Sequence, residues 1–225
     1  MTGGLRIAID GPAAAGKSTI AKLVAKKLGY TYIDTGAMYR AITYKVLQNF
    51  IDPRNEEEIA KLVGNTVIEL QPGGNAQKVL LDGIEVTEAI RSHEVTSQVS
   101  AIAALTSVRQ LLMKKQQNLA ADSSVVMDGR DIGTSVLPDA ELKIFMTASV
   151  EERAQRRLLE EQLRGITNDY ETLKREITER DKADSEREIS PLKKAEDAII
   201  IDTTGKTIEE VTDRIVEYAE KRLTK

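Results

Sequence analysis

Short apolar runs rich in β-branched side chains recur along the chain at 5–9 (LRIAI), 30–33 (YTYI), 124–127 (SVVM), 142–146 (LKIFM) and 198–201 (AIII). Each run is continuously apolar, and longer amphipathic stretches separate them, as in strands buried on both faces of a parallel sheet. The pattern predicts an α/β fold, a five-stranded parallel sheet flanked by helices. Residues 66–90 break the rhythm: TVIEL and QKVLLDG flank the polar, glycine-rich QPGGN and predict a hairpin in a small insert, placed at 64–92. After His93 one long helical pattern runs through Ala121. A further helix is predicted over 170–189, with an inward stripe of Leu173, Ile177, Arg180, Asp184 and Arg187 at spacings of 4, 3, 4 and 3.

That stripe begins apolar and ends charged. A charge aimed at a dry core is heavily penalised, so the charged half must pair internally, reach water, or line a polar cavity that holds a ligand. Arg180 and Asp184, at i and i+4, also fit a plain surface pair. Residues 151–194 hold 23 charged side chains in 44 and 7 of the chain's 15 arginines. A solvated helical face is the ordinary explanation of such a run. Arg153, Arg156 and Arg157, with Arg164 two turns on, need compensation from neighbouring glutamates, from an anionic ligand, or from both. Arginines on a mobile segment suit phosphoryl transfer, which suggests a lid over about 150–168.

The 225 residues carry 32 Lys+Arg against 36 Asp+Glu, a formal net charge of −4, with 41% hydrophobic and 30% charged residues. The composition is that of a globular protein with a real core. The net negative charge argues against a nucleic-acid partner held by a basic surface, while leaving room for a local cationic site. There is no cysteine and one histidine, so thiolate sites and cysteine nucleophiles are excluded and a transition-metal centre is not expected. His93 reads as a surface or capping residue. No window approaches 18 apolar residues and the start lacks an export pattern, so a cytoplasmic protein with no membrane partner is the expectation; a monomer is expected as well.

The chemistry-bearing motif follows the first run. Gly11, Pro12, Ala13, Ala14, Ala15, Gly16, Lys17, Ser18 and Thr19 satisfy G-x-x-x-x-G-K-[ST], and the helical pattern TIAKLVAKKLG follows, closed by Gly29. Strand, glycine-bounded loop and helix N-terminus together make an anion cradle of backbone N–H groups for phosphate oxygens. Lys17 would reach the β- and γ-phosphates, and Ser18 would offer a hydroxyl to Mg2+. Asp128, ending the third core run, would hold Mg2+ directly or through water, or else cap the next segment. Next to it, Arg130 could bind a phosphate bidentately and Asp131 could accept from a substrate donor. Asp34 or Thr35 could cap the helix that carries Arg40.

Taken together, GPAAAGKST, DTGAMYRA (34–41), VTSQVSAIAALTSVR (95–109), MDGRDIGT (127–134), SVEERAQRR (149–157) and ERDKADSEREISPL (179–192) resemble the bacterial cytidylate kinases along the whole chain. The resemblance implies a single P-loop kinase domain over 1–225, with a monophosphate-binding insert and a short lid. It also implies transfer of the ATP γ-phosphoryl group to CMP or dCMP, with Mg2+. Ser100, Arg109 and Asp131 would then recognise the cytosine edge, and Arg180 and Asp184 the ribose. Arg40, Arg130 and Arg187 would contact the monophosphate, with Thr35 nearby; the division of Arg187 between base and phosphate stays open. Lys17, Arg130, Arg153 and Arg157 would stabilise transfer. Ser18 stands where some relatives have glycine. A small P-loop kinase for another nucleotide or a small-molecule hydroxyl is the alternative, and a nucleotide-dependent switch a more distant one.

Overall fold

The computed structural model describes residues 4–73, 77–121, 123–163 and 165–224, so the hairpin tip at 74–76 and Arg164 lie outside the described residues. The chain divides into two compact units, Met1–Tyr32 with Asp122–Lys225, and Ile33–Ala121.

The first unit is built on a sheet of β1 (Arg6–Asp10), β2 (Thr31–Asp34), β6 (Val125–Gly129), β7 (Leu142–Thr147) and β8 (Ile199–Asp202), in the order β2-β6-β1-β7-β8. The β1 pairs with β6 and β7, and the pair of β7 with β8, are parallel. Helices α1 (Lys17–Leu28) and α8 (Ile208–Leu223) lay Ile20, Val24, Val211 and Ile215 on Ile7, Ile9, Val126 and Ile144 of the sheet. Ile7, Ile9, Val125, Val126 and Met127 are fully buried, which is why the central strands read as unbroken apolar runs. At the edge, β8 buries only one residue, Ile201, because its outer side has no neighbouring strand. Two more helices, α6 (Val150–Leu163) and α7 (Tyr170–Glu186), complete this unit. Arg187 has extended backbone (φ −62°, ψ 143°) and ends α7, so the last member of the charged stripe sits just past the helix.

The second unit contains α2 (Thr35–Gln48), α3 (Glu56–Gly64), α4 (His93–Ala104), α5 (Thr106–Ala120) and a small antiparallel sheet of β3 (Ile68–Gln71), β4 (Lys78–Leu81) and β5 (Ile84–Glu85). The expected hairpin thus gains a third strand, two residues long, too short to leave a periodic signal. Val79, Leu81, Val86 and Ile90 pack on Ala37 and Ala41 of α2. Met38, Ile42, Ile59, Val63, Ile102 and Leu112 form the other core of this unit. The single helix expected from His93 through Ala121 is two: Leu105 takes an extended conformation (φ −64°, ψ 129°) between α4 and α5. Apolar spacing continues across the break, so periodicity alone does not reveal it. His93 is exposed at the first position of α4, whose cap is the Ser92 hydroxyl accepting from the Val95 N–H.

Gly11 joins β1 to the phosphate loop at φ +149°, and a Cβ there would lie 2.1 Å from the Met146 carbonyl oxygen. Both the conformation and the space require glycine. Gly11→Ala should therefore lose more than about 2 kcal/mol in denaturant unfolding, whereas Gly64→Ala, at a helix end with nothing within 4 Å, should change stability by less than about 1 kcal/mol. Similar losses at the two positions would contradict the close approach.

Candidate active site

The parallel strands end their run on carboxylates. Asp10 closes β1, and Ile9 and Asp10 lie in register with Asp128 and Gly129 of β6. Between β1 and α1 the loop turns through left-handed conformations at Ala14 (φ 57°) and Gly16 (φ 84°). Such alternation turns successive N–H groups inward around an anion, at the start of α1 where the helix dipole is positive. Lys17 is 5% exposed and its Nζ donates to the Pro12 carbonyl at 2.6 Å. Burial and the Arg130 charge push its pKa well below the usual lysine value, against the pull of Asp128 and Asp10. A phosphate beside Lys17 would restore the ammonium.

Asp128 is buried and accepts from the Ser18 hydroxyl (Oδ2, 2.8 Å) and the Tyr32 phenol (Oδ1, 2.8 Å). The expected pair of a loop hydroxyl and a strand-end carboxylate is therefore assembled. Its donor set fits Mg2+, which takes oxygen ligands, usually one or two from protein with the rest from phosphates and water. Among the described residues no group of three or more His, Asp or Glu side chains forms a dedicated metal cage.

Asp10, which sequence reasoning passed over as the end of an apolar run, is the acceptor that organises the next loop. Its two oxygens take the successive N–H groups of Ile132 (2.8 Å) and Gly133 (2.7 Å). The one available signal was an acidic residue closing a buried strand directly before the phosphate loop. Those bonds fix the turn that begins with Asp131.

Past this turn, charges pair internally, which is the first of the three options open to the charged stripe. Arg130 Nε donates to Asp184 Oδ2 at 2.9 Å, and Arg187 Nη2 to Asp131 Oδ1 at 3.2 Å, with Arg187 Nη1 3.8 Å from Asp184 Oδ1. Burial raises the Asp184 pKa, but Arg130, Arg180 and Arg187 outweigh it and the net value lies below the ordinary carboxylate range. Asp184 is thus a buried anion held by arginines, Arg180 among them, rather than a residue of an exposed helix face.

The arginines of α6 are also spoken for. Arg153 is 4% exposed. Its Nε donates to the Ala148 carbonyl (3.1 Å), and its Nη1 to the Ala13 carbonyl (3.1 Å) and to Asp181 Oδ2. Arg156 holds the Thr203 carbonyl (2.8 Å) and hydroxyl (3.0 Å), and Arg157 pairs with Glu161 at 2.7 Å. Glutamate compensation is therefore present for Arg156, through Glu152 at 3.0 Å, and for Arg157, while Arg153 is fastened to the phosphate loop.

In the second unit, Asp34 rather than Thr35 caps α2, accepting from the Ala37 N–H at 2.8 Å, and its other oxygen pairs with Arg40 Nη2 at 3.1 Å. Arg40 Nε is buried without a hydrogen bond. Thr35 is buried at the first position of α2 and Ser100 is half-buried in α4. Arg109 is buried, donates to the Ala103 carbonyl at 3.2 Å and stacks 5.6 Å over the Tyr39 ring.

A parallel sheet whose first strand opens into a glycine-bounded cradle with a buried lysine, a hydroxyl and a strand-end carboxylate defines a P-loop phosphotransferase. A family model for cytidylate kinase matches residues 7–221. Curated cytidylate kinases from Bacillus thuringiensis (strain Al Hakam) and Bacillus cereus (strain AH187) are each 59% identical over 212 residues, 94% of this chain and of theirs. An uncharacterized protein from Eubacterium ventriosum, 14% identical, shares the fold with a TM-score of 0.54 over 96% of this chain and 98% of its own. The chain belongs to the cytidylate kinase family.

Burial raises the Asp10 pKa from 3.8 to about 7, more than the two backbone N–H bonds lower it. The folded state therefore binds more protons than the unfolded chain between about pH 4 and 7, and this group's contribution to stability falls as pH rises through that window. Asp10→Asn lacks this slope. The stability advantage of the wild type over D10N should be largest near pH 5 and smallest at pH 8 in urea titrations; an advantage that grows with pH would contradict the assignment.

Proposed function

We infer that the chain transfers the γ-phosphoryl group of ATP to CMP or dCMP, giving ADP and the diphosphate. The observation that carries this reading is the pairing of a complete phosphate cradle with a buried arginine–aspartate cluster in the same unit, within a chain of the cytidylate kinase family. ATP would lie along residues 11–19, with Lys17 on its β- and γ-phosphates. Ser18 and Asp128 are the oxygen pair for Mg2+, which when bound neutralises phosphate charge. The acceptor monophosphate brings its own anionic oxygen, so no general base is required, and positioning with charge neutralisation suffices. Arg130 and Arg187 would exchange part of their carboxylate pairing for the monophosphate, and Asp131, released from Arg187, would accept from the cytosine amino group. Arg180 and Asp184 would hold the ribose. Thr35, Arg40, Ser100 and Arg109 keep the acceptor roles that the family resemblance implies. Arg153 and Arg157 would face the transferring group.

An ADP-release assay across nucleoside monophosphates, shikimate and gluconate tests the reading: turnover should be selective for cytidine nucleotides and nearly idle without an acceptor. Absence of that selectivity would overturn it, and turnover without an acceptor would favour a switch. Lys17→Met should abolish transfer and leave CMP binding detectable by calorimetry; retained turnover would remove Lys17 from the mechanism. Asp131→Ala should reduce discrimination between CMP and UMP by about 1–3 kcal/mol, the range for an unsatisfied buried partner. Unchanged preference would refute its contact with the base.

A further inference from the structure

Asp181 lies on α7 between two acceptor-side candidates, Arg180 and Asp184, yet its own bonds go to the donor loop. Its Oδ1 accepts from the Ala13 N–H at 3.1 Å and its Oδ2 from Arg153 Nη1, while the same Nη1 donates to the Ala13 carbonyl at 3.1 Å. One residue of the phosphate loop thus gives its N–H to α7 and its C=O to α6, and the two side chains that take them are paired with each other. The arrangement is closed: no member can move without breaking at least two bonds. It also decides which part of Arg153 remains available. Nε is bound to the Ala148 carbonyl and Nη1 to Ala13 and Asp181, so Nη2 alone makes no hydrogen bond to a described residue. A guanidinium held this way beside the loop offers one fixed donor edge to an anionic oxygen.

We propose that Asp181 is a positioning residue for phosphoryl transfer, seating Arg153 on the phosphate loop so that its Nη2 meets the charge on the transferring group. The inference rests on the reading above that Arg153 serves the reaction. Asp181 touches neither substrate; it acts through Arg153 and through the Ala13 peptide, next to the left-handed turn at Ala14 (φ 57°). Because Asp184, one turn further on, is held by Arg130 and Arg187, α7 carries the acceptor-side anion and the donor-side clamp on a single rigid rod. Removing the clamp should therefore impair turnover while leaving acceptor affinity in place. Because a loss of folded enzyme would also lower apparent kcat at constant KM, kcat is taken per folded enzyme, measured by circular dichroism, and the double variant separates positioning from general damage.

Asp181→Asn keeps an acceptor for the Ala13 N–H but sets an amide donor against Arg153. In full-length enzyme at saturating ATP, kcat should fall at least tenfold while KM for CMP stays within twofold. In the Arg153→Ala background the same change should lower kcat by less than threefold, because the residue it positions is gone. A kcat for D181N within twofold of wild type, or fold-losses that multiply in the double variant, overturns the proposal. Should D181N unfold near the assay temperature, Asp181→Glu, which keeps the charge and shifts the carboxyl by one methylene, must show the same split of kcat from KM, and failure to show it counts equally against the proposal. Wild-type enzyme without cytidylate turnover would instead overturn the reading of the site, and this inference with it. An active wild type beside an equally active D181N defeats the inference alone.

Discussion

Charge buried at the carboxyl ends of the strands has to be compensated within a few ångströms, and this constraint organises the first unit. Asp10, Asp128, Asp131 and Asp184 are all buried, as are Lys17 and Arg153. Unpaired, each such charge would be heavily penalised. Each is instead given specific partners: two peptide N–H groups for Asp10, two hydroxyls for Asp128, and arginines for Asp131 and Asp184. The loops and helices that bring these partners are thereby tied to the strand ends. A site that must receive polyanionic substrates is held together, without them, by its own carboxylates.

The same bonds explain why an acidic chain can serve nucleotides. The net −4 is a property of the whole chain, whereas the proposed acceptor site is a local arrangement in which arginines have carboxylate partners that a phosphate could replace. Replacement is favourable only if the protein anion then finds another donor. On the proposed reading Asp131 would find one in the cytosine edge and Asp184 in the ribose, so each carboxylate that gave up part of an arginine would gain a nucleoside contact. Base recognition and phosphate binding would then be linked through shared partners.

Much of this was legible beforehand, and the gaps have physical causes. The central strands could be read because burial on both faces makes their runs continuous, and the phosphate loop because its glycines are demanded by backbone geometry and its lysine by phosphate charge. The stripe from Leu173 to Arg187 could be read as unusual, but its pairing could not: Arg130 is 54 positions from Asp184 in sequence, and only the fold brings them together. Leu105 breaks a helix without disturbing apolar spacing. Asp10 was overlooked because local reading treats a strand's last residue as a boundary, when here it bonds a loop more than 120 positions away. The α6 arginines could be read as a cationic cluster, but the contacts of Arg153 with Ala13 and Asp181 are ones that no local pattern encodes.

The central claim is that the arginine–aspartate cluster is an anion site awaiting the acceptor's phosphate. Calorimetric binding of CMP and of cytidine to the same enzyme, compared at low and moderate salt, tests it most directly. CMP should bind at least tenfold more tightly than cytidine, with an advantage that shrinks as salt rises. Equal affinities, or a preference for cytidine, would contradict the account.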